Sequence, residues 1–239
     1  MPSPLHTLSP PALAAAPDLA ALRTELDRLD EQLHDTLMQR ARVVSQVATL
    51  GVKGAVPHRP GREAAIIRRL LARHEGDLPP STIVRIWREL LAGFTAQQRP
   101  VLVTVCEAEG DPAYLAAARE HFGALTPLRA YRTPAQAIND VSRGIATAAV
   151  LPAPVEGEAP SAAWWTAMLH RDDPRIHVVA CLPFWSARTE GSPKVQALVV
   201  GAAAPDPSGR DRSLLGLEMT LEVSRARLAA AVLAAGFQA

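Results

Sequence analysis

From Asp18 to Leu50 the chain contains neither glycine nor proline, and leucines recur at 19, 22, 26, 29, 33 and 37. Spacings of 3, 4, 3, 4 and 4 put all six on one stripe of an α-helix. Asp18, directly after Pro17, is a suitable N-cap, and Gly51 and Gly54 are stop signals. At 1.5 Å per residue such a helix extends about 50 Å, roughly three times the usual length. One continuous apolar stripe that long cannot be covered by two shorter helices. Each leucine left in water forgoes about 1.5–3 kcal/mol. A second copy of the chain is the simplest cover, which predicts an intertwined homodimer. Pockets in such an assembly lie between helices and draw side chains from both protomers.

Proline punctuates the rest. Five of the 21 prolines fall within residues 1–17. That opening, MPSPLHTLSPPALAAAP, has no basic n-region and reads as a disordered tail rather than a signal peptide. Pro60 stands in the first turn of a second helix, Arg62 to Glu75, with Ile66, Ile67, Leu70 and Leu71 apolar. After Pro79–Pro80, Ser81 is placed to cap a third helix reaching Gln98, striped by Ile83, Trp87, Leu91 and Phe94.

The composition changes at Val101. Strand-like runs at 101–105 and near 127–131, 145–151, 176–182, 195–201 and 213–219 alternate with helical stretches near 113–121, 134–143, 161–170 and 222–235. Alternation of this kind implies an α/β domain. The expected organisation is multi-domain: a tail at 1–17, an all-α three-helix domain at 18–99, and a smaller α/β domain at 101–239. Charge shifts at the same place, from 13 basic against 10 acidic residues in 1–100 to 12 against 14 beyond.

Composition also excludes whole classes. With 48% hydrophobic and 21% charged residues the chain is globular, and with 4% aromatics its core must be aliphatic. No run approaches the ~20 apolar residues of a membrane span. A net charge of +1 argues against a nucleic-acid partner. Cys106 and Cys181 lack CxxC or Cys/His spacing, so no metal site or disulfide framework is legible, and a reducing cytoplasm is expected. Glycines in no GxGxxG or P-loop order leave no nucleotide cofactor to expect. Seven scattered histidines read as surface or packing residues, with His58 beside the Arg-Pro turn at the mouth of any pocket. Trp164 and Trp165 read as a pair that packs a helix onto the sheet.

The candidate site residues are polar groups on the apolar faces. Arg40 continues the leucine stripe, seven residues after Leu33, and Arg23 flanks it. Gln98 shares the face of Trp87, Leu91 and Phe94, and Arg62 and Glu63 open the second helix. A buried guanidinium needs an anion, and few acids occupy these faces, so converging arginines suit a small dicarboxylate held bidentately. The plain alternative is that the arginines snorkel, Glu63 complements a helix N-terminus, and Gln98 caps a helix end. Arg68, Arg69 and Arg73 are assigned to solvated faces. Periodicity leaves both readings open.

The segments ALRTELDRLDEQLHDTLMQRARVV, HRPGREAAIIRRLLARHEGDLP and VRIWRELLAGFTAQQ, in order over roughly residues 19–99, resemble the all-helical chorismate mutases. The resemblance implies an intertwined dimer of three-helix protomers. It implies a pericyclic rearrangement of chorismate to prephenate in aromatic amino-acid biosynthesis, with no nucleophile, metal or cofactor. By the same resemblance Arg40 and Arg62 clamp the substrate carboxylates and Arg23 reaches across from the partner chain. Glu63 then hydrogen-bonds the substrate hydroxyl, and Gln98 approaches the ether oxygen. The lysine that the family places at the end of helix one aligns with Gly51, leaving Lys53 as the candidate donor, and Phe94 stands where a small polar residue often sits. That departure motivates an alternative: a mutase-derived ligand-binding or partner-regulating protein with little or no turnover.

Residues 101–201 resemble, more faintly, the prephenate dehydratase domain often fused behind this mutase. The catalytic-type motifs are replaced: Asp111 and Pro112 stand in the first, Pro154 and Val155 in the second, and Val195, Gln196 and Ala197 in the third. The stretch from Pro207 to Phe237 resembles part of a small-molecule regulatory domain. A degenerate, non-catalytic α/β domain is the expectation.

Overall fold

In the computed structural model the described residues are 18–50 and 58–237, apart from 160–161, 170–173, 186–189, 218–219 and 221. The expected tail at 1–17, and Gly51, Lys53 and Gly54, lie outside them. The chain forms two compact units, Met1–Lys53 and Gly54–Ala239.

The first unit is α1, Leu19–Thr49, which follows Asp18 in extended conformation and stops at Leu50. It is made of strong helix formers with no internal breaker. None of its residues is buried, and Leu19, Leu22, Leu26, Leu29 and Leu33 are 45–61% exposed.

In the second unit, α2 (Pro60–Ala72) and α3 (Pro80–Gln98) form a helical hairpin. Both start on a proline, whose fixed φ suits the first turn. Three bounds therefore differ from expectation. The second helix starts two residues earlier and ends at Ala72, with Arg73 as C-cap. The third is capped by Pro79, so Ser81 lies inside it and its hydroxyl caps nothing. Ile67, Val84 and Leu91 form the hairpin's core, covered by Phe184 and Trp185.

The remainder is a five-stranded sheet: β1 (Val103–Cys106), β2 (Leu128–Tyr131), β3 (Ala148–Pro152), β4 (His177–Leu182) and β5 (Ala197–Gly201), in the order β2-β1-β3-β5-β4. β1 is parallel to β2 and β3, whereas β5 runs antiparallel to β3 and β4. Helices α4 (Ala113–Phe122), α5 (Pro134–Ser142) and α6 (Arg225–Ala234) complete the regular elements, with 3-10 turns at Ala108–Gly110 and Trp164–Leu169. Alternation along the strands sorts two cores. Val103, Val105 and Val150 pack with Ala117, Ala118 and Phe122 of α4. Cys106, Ala149 and Leu151 pack with Ala137 and Val141 of α5 and with Trp164. Central strands covered on both faces read as continuous apolar runs, which is why they were legible.

Two expected elements fail. The described part of 213–219 is irregular, and Leu214, Leu215 and Leu217 stay exposed with no strand to pair. The helix expected at 161–170 is a 3-10 turn, held by the Trp164 indole donating to Pro152 O at 3.0 Å.

α3 ends at Gln98, three residues before the compositional change at Val101. Compactness nevertheless groups the α2–α3 hairpin with the sheet, and polar contacts show how. The Glu89 carboxylate accepts from the Ala124 N–H at 3.0 and 3.1 Å, just past the positive-φ Gly123 that ends α4. Arg59 pairs with Asp206 at 2.9 Å. Arg68 donates to both oxygens of Ser208 at 2.7 Å, so it is half-buried and anchors a loop, a correction to the solvated face expected of it. Arg69 and Arg73 are exposed.

Candidate active site

The first turn of α2 is fixed from two sides. Pro60 sets its entry, and a Cβ on Gly61 would run into the Asp206 carbonyl and side chain, so only glycine permits that approach. The next two residues diverge: Arg62 is exposed, whereas the Glu63 side chain turns inward and is 13% exposed.

Glu63 Oε2 accepts from Arg88 Nη1 at 3.1 Å. Arg88 lies on α3 one turn after Val84 and one turn before Leu91, and its side chain is 4% exposed. Its guanidinium carbon sits 4.1 Å from the centre of the Phe184 ring, a cation–π contact that replaces part of the lost hydration. Burial pushes the Arg88 guanidinium down to about 10, opposed by the Glu63 charge. At neutral pH it remains a cation, and Glu63 is its counter-charge.

Two buried histidines stand beside the pair. The His58 ring is 5.5 Å from Phe122, and His121 meets Phe122 edge-on at 4.8 Å. Burial lowers the His58 pKa, with Glu63 opposing and Arg88 adding to the shift. His121 is held well below its ordinary value by burial, then by Arg88 and His58. Both rings are therefore neutral near pH 7. His58 Nε2, both ring nitrogens of His121 and Arg88 Nε are buried without hydrogen-bond partners among the described residues. They surround a cavity of about 20 Å³ that Glu63, Thr95 and Phe122 also line, room for a single water with several polar partners.

The other candidates fall elsewhere. Gln98 is half-buried at the end of α3, its amide donating to Phe94 O at 3.1 Å. Arg23 is exposed and Arg40 half-buried on α1, in the other compact unit. Lys53 lies outside the described residues. His58 lines the small cavity rather than an open mouth. The apolar stripe does not reveal Arg88, because the third helix turns its inner face one residue away from Ile83 and Trp87. Val84 and Arg88 are buried, while Ile83 and Trp87 are only half-buried. The 84–88–91 spacing was the available signal.

In the α/β part several polar residues make contacts within the fold. Asp111 accepts from the Ala113 N–H at 2.8 Å, starting α4. The Gln196 carbonyl accepts from Ala153 at 3.1 Å, and Pro154 and Val155 are exposed. Asp140 on α5 accepts from the Tyr131 hydroxyl at 2.7 Å and from Arg129 at 2.9 Å. The Tyr131 hydrogen bond, with Arg129 adding, holds the Asp140 carboxyl below its usual range. Among the described residues no three His, Cys, Asp or Glu side chains are grouped to hold a metal.

The family model of type II chorismate mutase matches residues 22–99, spanning most of α1 and all of α2 and α3. Residues 22–99 are a chorismate mutase type II domain. A bifunctional chorismate mutase/prephenate dehydratase of Pseudomonas aeruginosa is 34% identical over 145 residues, covering 58% of this chain and 38% of its own length. One of Stutzerimonas stutzeri is 31% identical over 144 residues with the same coverage. One of Neisseria gonorrhoeae is 32% identical over 101 residues, 42% of this chain and 27% of its own length. The chain thus spans under two fifths of the relatives it matches. Coverage of 58% reaches past residue 99, so the first two relatives resemble part of the α/β region as well as the mutase domain. No solved structure matches the chain. No described helix is long and apolar enough to cross a membrane.

Proposed function

We propose that this chain is a homodimeric chorismate mutase of aromatic amino-acid biosynthesis, acting in the cytoplasm and converting chorismate to prephenate. The observation that carries the reading is the family match over residues 22–99. The exposed leucine stripe of α1 supports the dimer, because a second copy would remove it from water.

The rearrangement is intramolecular: the ether C–O bond breaks as a C–C bond forms, and no group enters or leaves. Catalysis then needs only a held conformer and donors aimed at charge growing on the ether oxygen. Arg40 and Arg62 clamp the two carboxylates, Arg23 reaches in from the partner chain, and Glu63 accepts from the hydroxyl. Gln98, released from Phe94 O, and the Lys53 ammonium donate to the ether oxygen. The α/β domain is non-catalytic in this reading, its Asp111 being used to start a helix. Loss of chorismate absorbance with formation of prephenate tests the proposal, with a drop of roughly a hundredfold or more in Arg40→Ala. Unchanged turnover in that variant overturns the clamp.

The internal bonds made by Glu63 and Gln98 favour one competing reading, a mutase-derived ligand-binding or partner-regulating protein. Calorimetric binding of a transition-state analogue without turnover would decide for it.

A further inference from the structure

We propose that Arg88 is a positioning residue for the rearrangement, holding the Glu63 carboxylate in place and tying it to the α/β domain through Phe184 and α4. This rests on the mutase reading above. Arg88 is the buried cation nearest that reading's hydroxyl acceptor, and its Nη1 takes one carboxylate oxygen, Oε2, at 3.1 Å. Oε1 is then the oxygen presented to a substrate hydroxyl, and its direction is set by where Arg88 sits.

Arg88 has little freedom of its own. At 4% exposure its head cannot snorkel to solvent. The Phe184 ring lies 4.1 Å from its guanidinium carbon. His121 and Phe122 of α4, and His58 before α2, close the remaining side. Phe184 follows β4, so three of these four neighbours come from the α/β domain. That domain therefore serves the mutase domain as a buttress: it fixes a cation, which fixes a carboxylate. Removing one member of a buried pair leaves its partner uncompensated, so the coupling is tight.

The test uses the full chain and reads kcat and KM in Arg88→Met, Arg88→Lys, Glu63→Gln and the Arg88→Met/Glu63→Gln double variant. Arg88→Met is expected to lower kcat roughly tenfold to a hundredfold while KM moves less than about threefold, the signature of misplacement rather than lost binding. The double variant is expected to be no worse than the poorer single one, because Arg88 acts only through Glu63. Arg88→Lys is expected to restore part of kcat, since an ammonium still pairs with the carboxylate. Effects that multiply in the double variant, or an Arg88→Met protein that melts earlier with unchanged kcat, overturn the role. If Arg88→Met does not fold, Phe184→Leu replaces it: kcat should fall in the Glu63 background and not in Glu63→Gln, and equal losses in both overturn the role. A wild-type chain without turnover overturns the mutase reading and this role together, whereas an active chain with independent effects overturns this role alone.

Discussion

The two helical parts of the mutase domain carry the same kind of apolar stripe and treat it differently. α2, 13 residues long, buries Gly61, Ala64 and Ile67, and α3 buries Val84, Arg88 and Leu91. α1, with 31 residues, buries none. The short helices find their cover within the chain, under Phe184 and Trp185. Along the long one, five leucines of the stripe are 45–61% exposed, the surface that the proposed second copy would cover. That contrast separates what the α/β domain does, which is to support the hairpin, from what a second copy is proposed to do.

Substitutions break the contrast at either end. Leu29→Asp in α1 puts a charge in the middle of the stripe and is expected to abolish the proposed dimer, read by light scattering, together with turnover. Ile67→Ala opens a cavity in a fully buried site and is expected to cost about 2–5 kcal/mol of unfolding free energy in denaturant melts without changing the association state. Gly61→Ala should cost about 1–3 kcal/mol, because the Asp206 backbone must retreat from the new methyl group.

A smaller effect sharpens the comparison through pH. His58 and His121 have folded-state pKa values below their ordinary 6.5, so the unfolded chain takes up protons first as the solution is acidified. Their contribution to stability is full above about pH 6.5 and is lost as pH falls below it. Melts between pH 7.5 and 5.5 should show the hairpin-bearing unit weakening, with a shallower slope in His121→Gln. A slope unchanged by that substitution would mean the ring is not the titrating group. Smallest of all, Glu25→Gln on α1 removes an exposed i,i+3 ion pair with Arg28 and should leave the melting temperature unmoved.

How much the sequence disclosed follows from which signals are local. α1 was legible to within a residue at each end because thirty-odd residues repeat one period without a breaker. Four strands were legible as short runs rich in apolar residues and β2, Leu-Arg-Ala-Tyr, as a short segment between prolines, but their order β2-β1-β3-β5-β4 is a matter of long-range pairing and left no local mark. The run at 213–219 looked the same and found no neighbouring edge. The site was less legible than the fold. Glu63 stands out at the start of its helix, but its buried partner Arg88 lies one residue off the Ile83–Trp87 stripe of α3. Arg68 reads as a surface charge until residues 206–210 fold back beside it, 140 positions later in the chain.

The central claim is that two copies of α1 cover each other and that each site joins residues of both chains, with Arg23 supplied by the partner. Mixing the separately inactive Arg23→Ala and Arg40→Ala proteins tests it directly. Subunit exchange should then produce hybrid dimers in which one site carries both substitutions and the other carries neither. Turnover that reappears on mixing, rising with exchange time, is the predicted result. A mixture that stays as inactive as its components, while an affinity tag on one variant pulls down the untagged other and so shows hybrid dimers, would contradict the account.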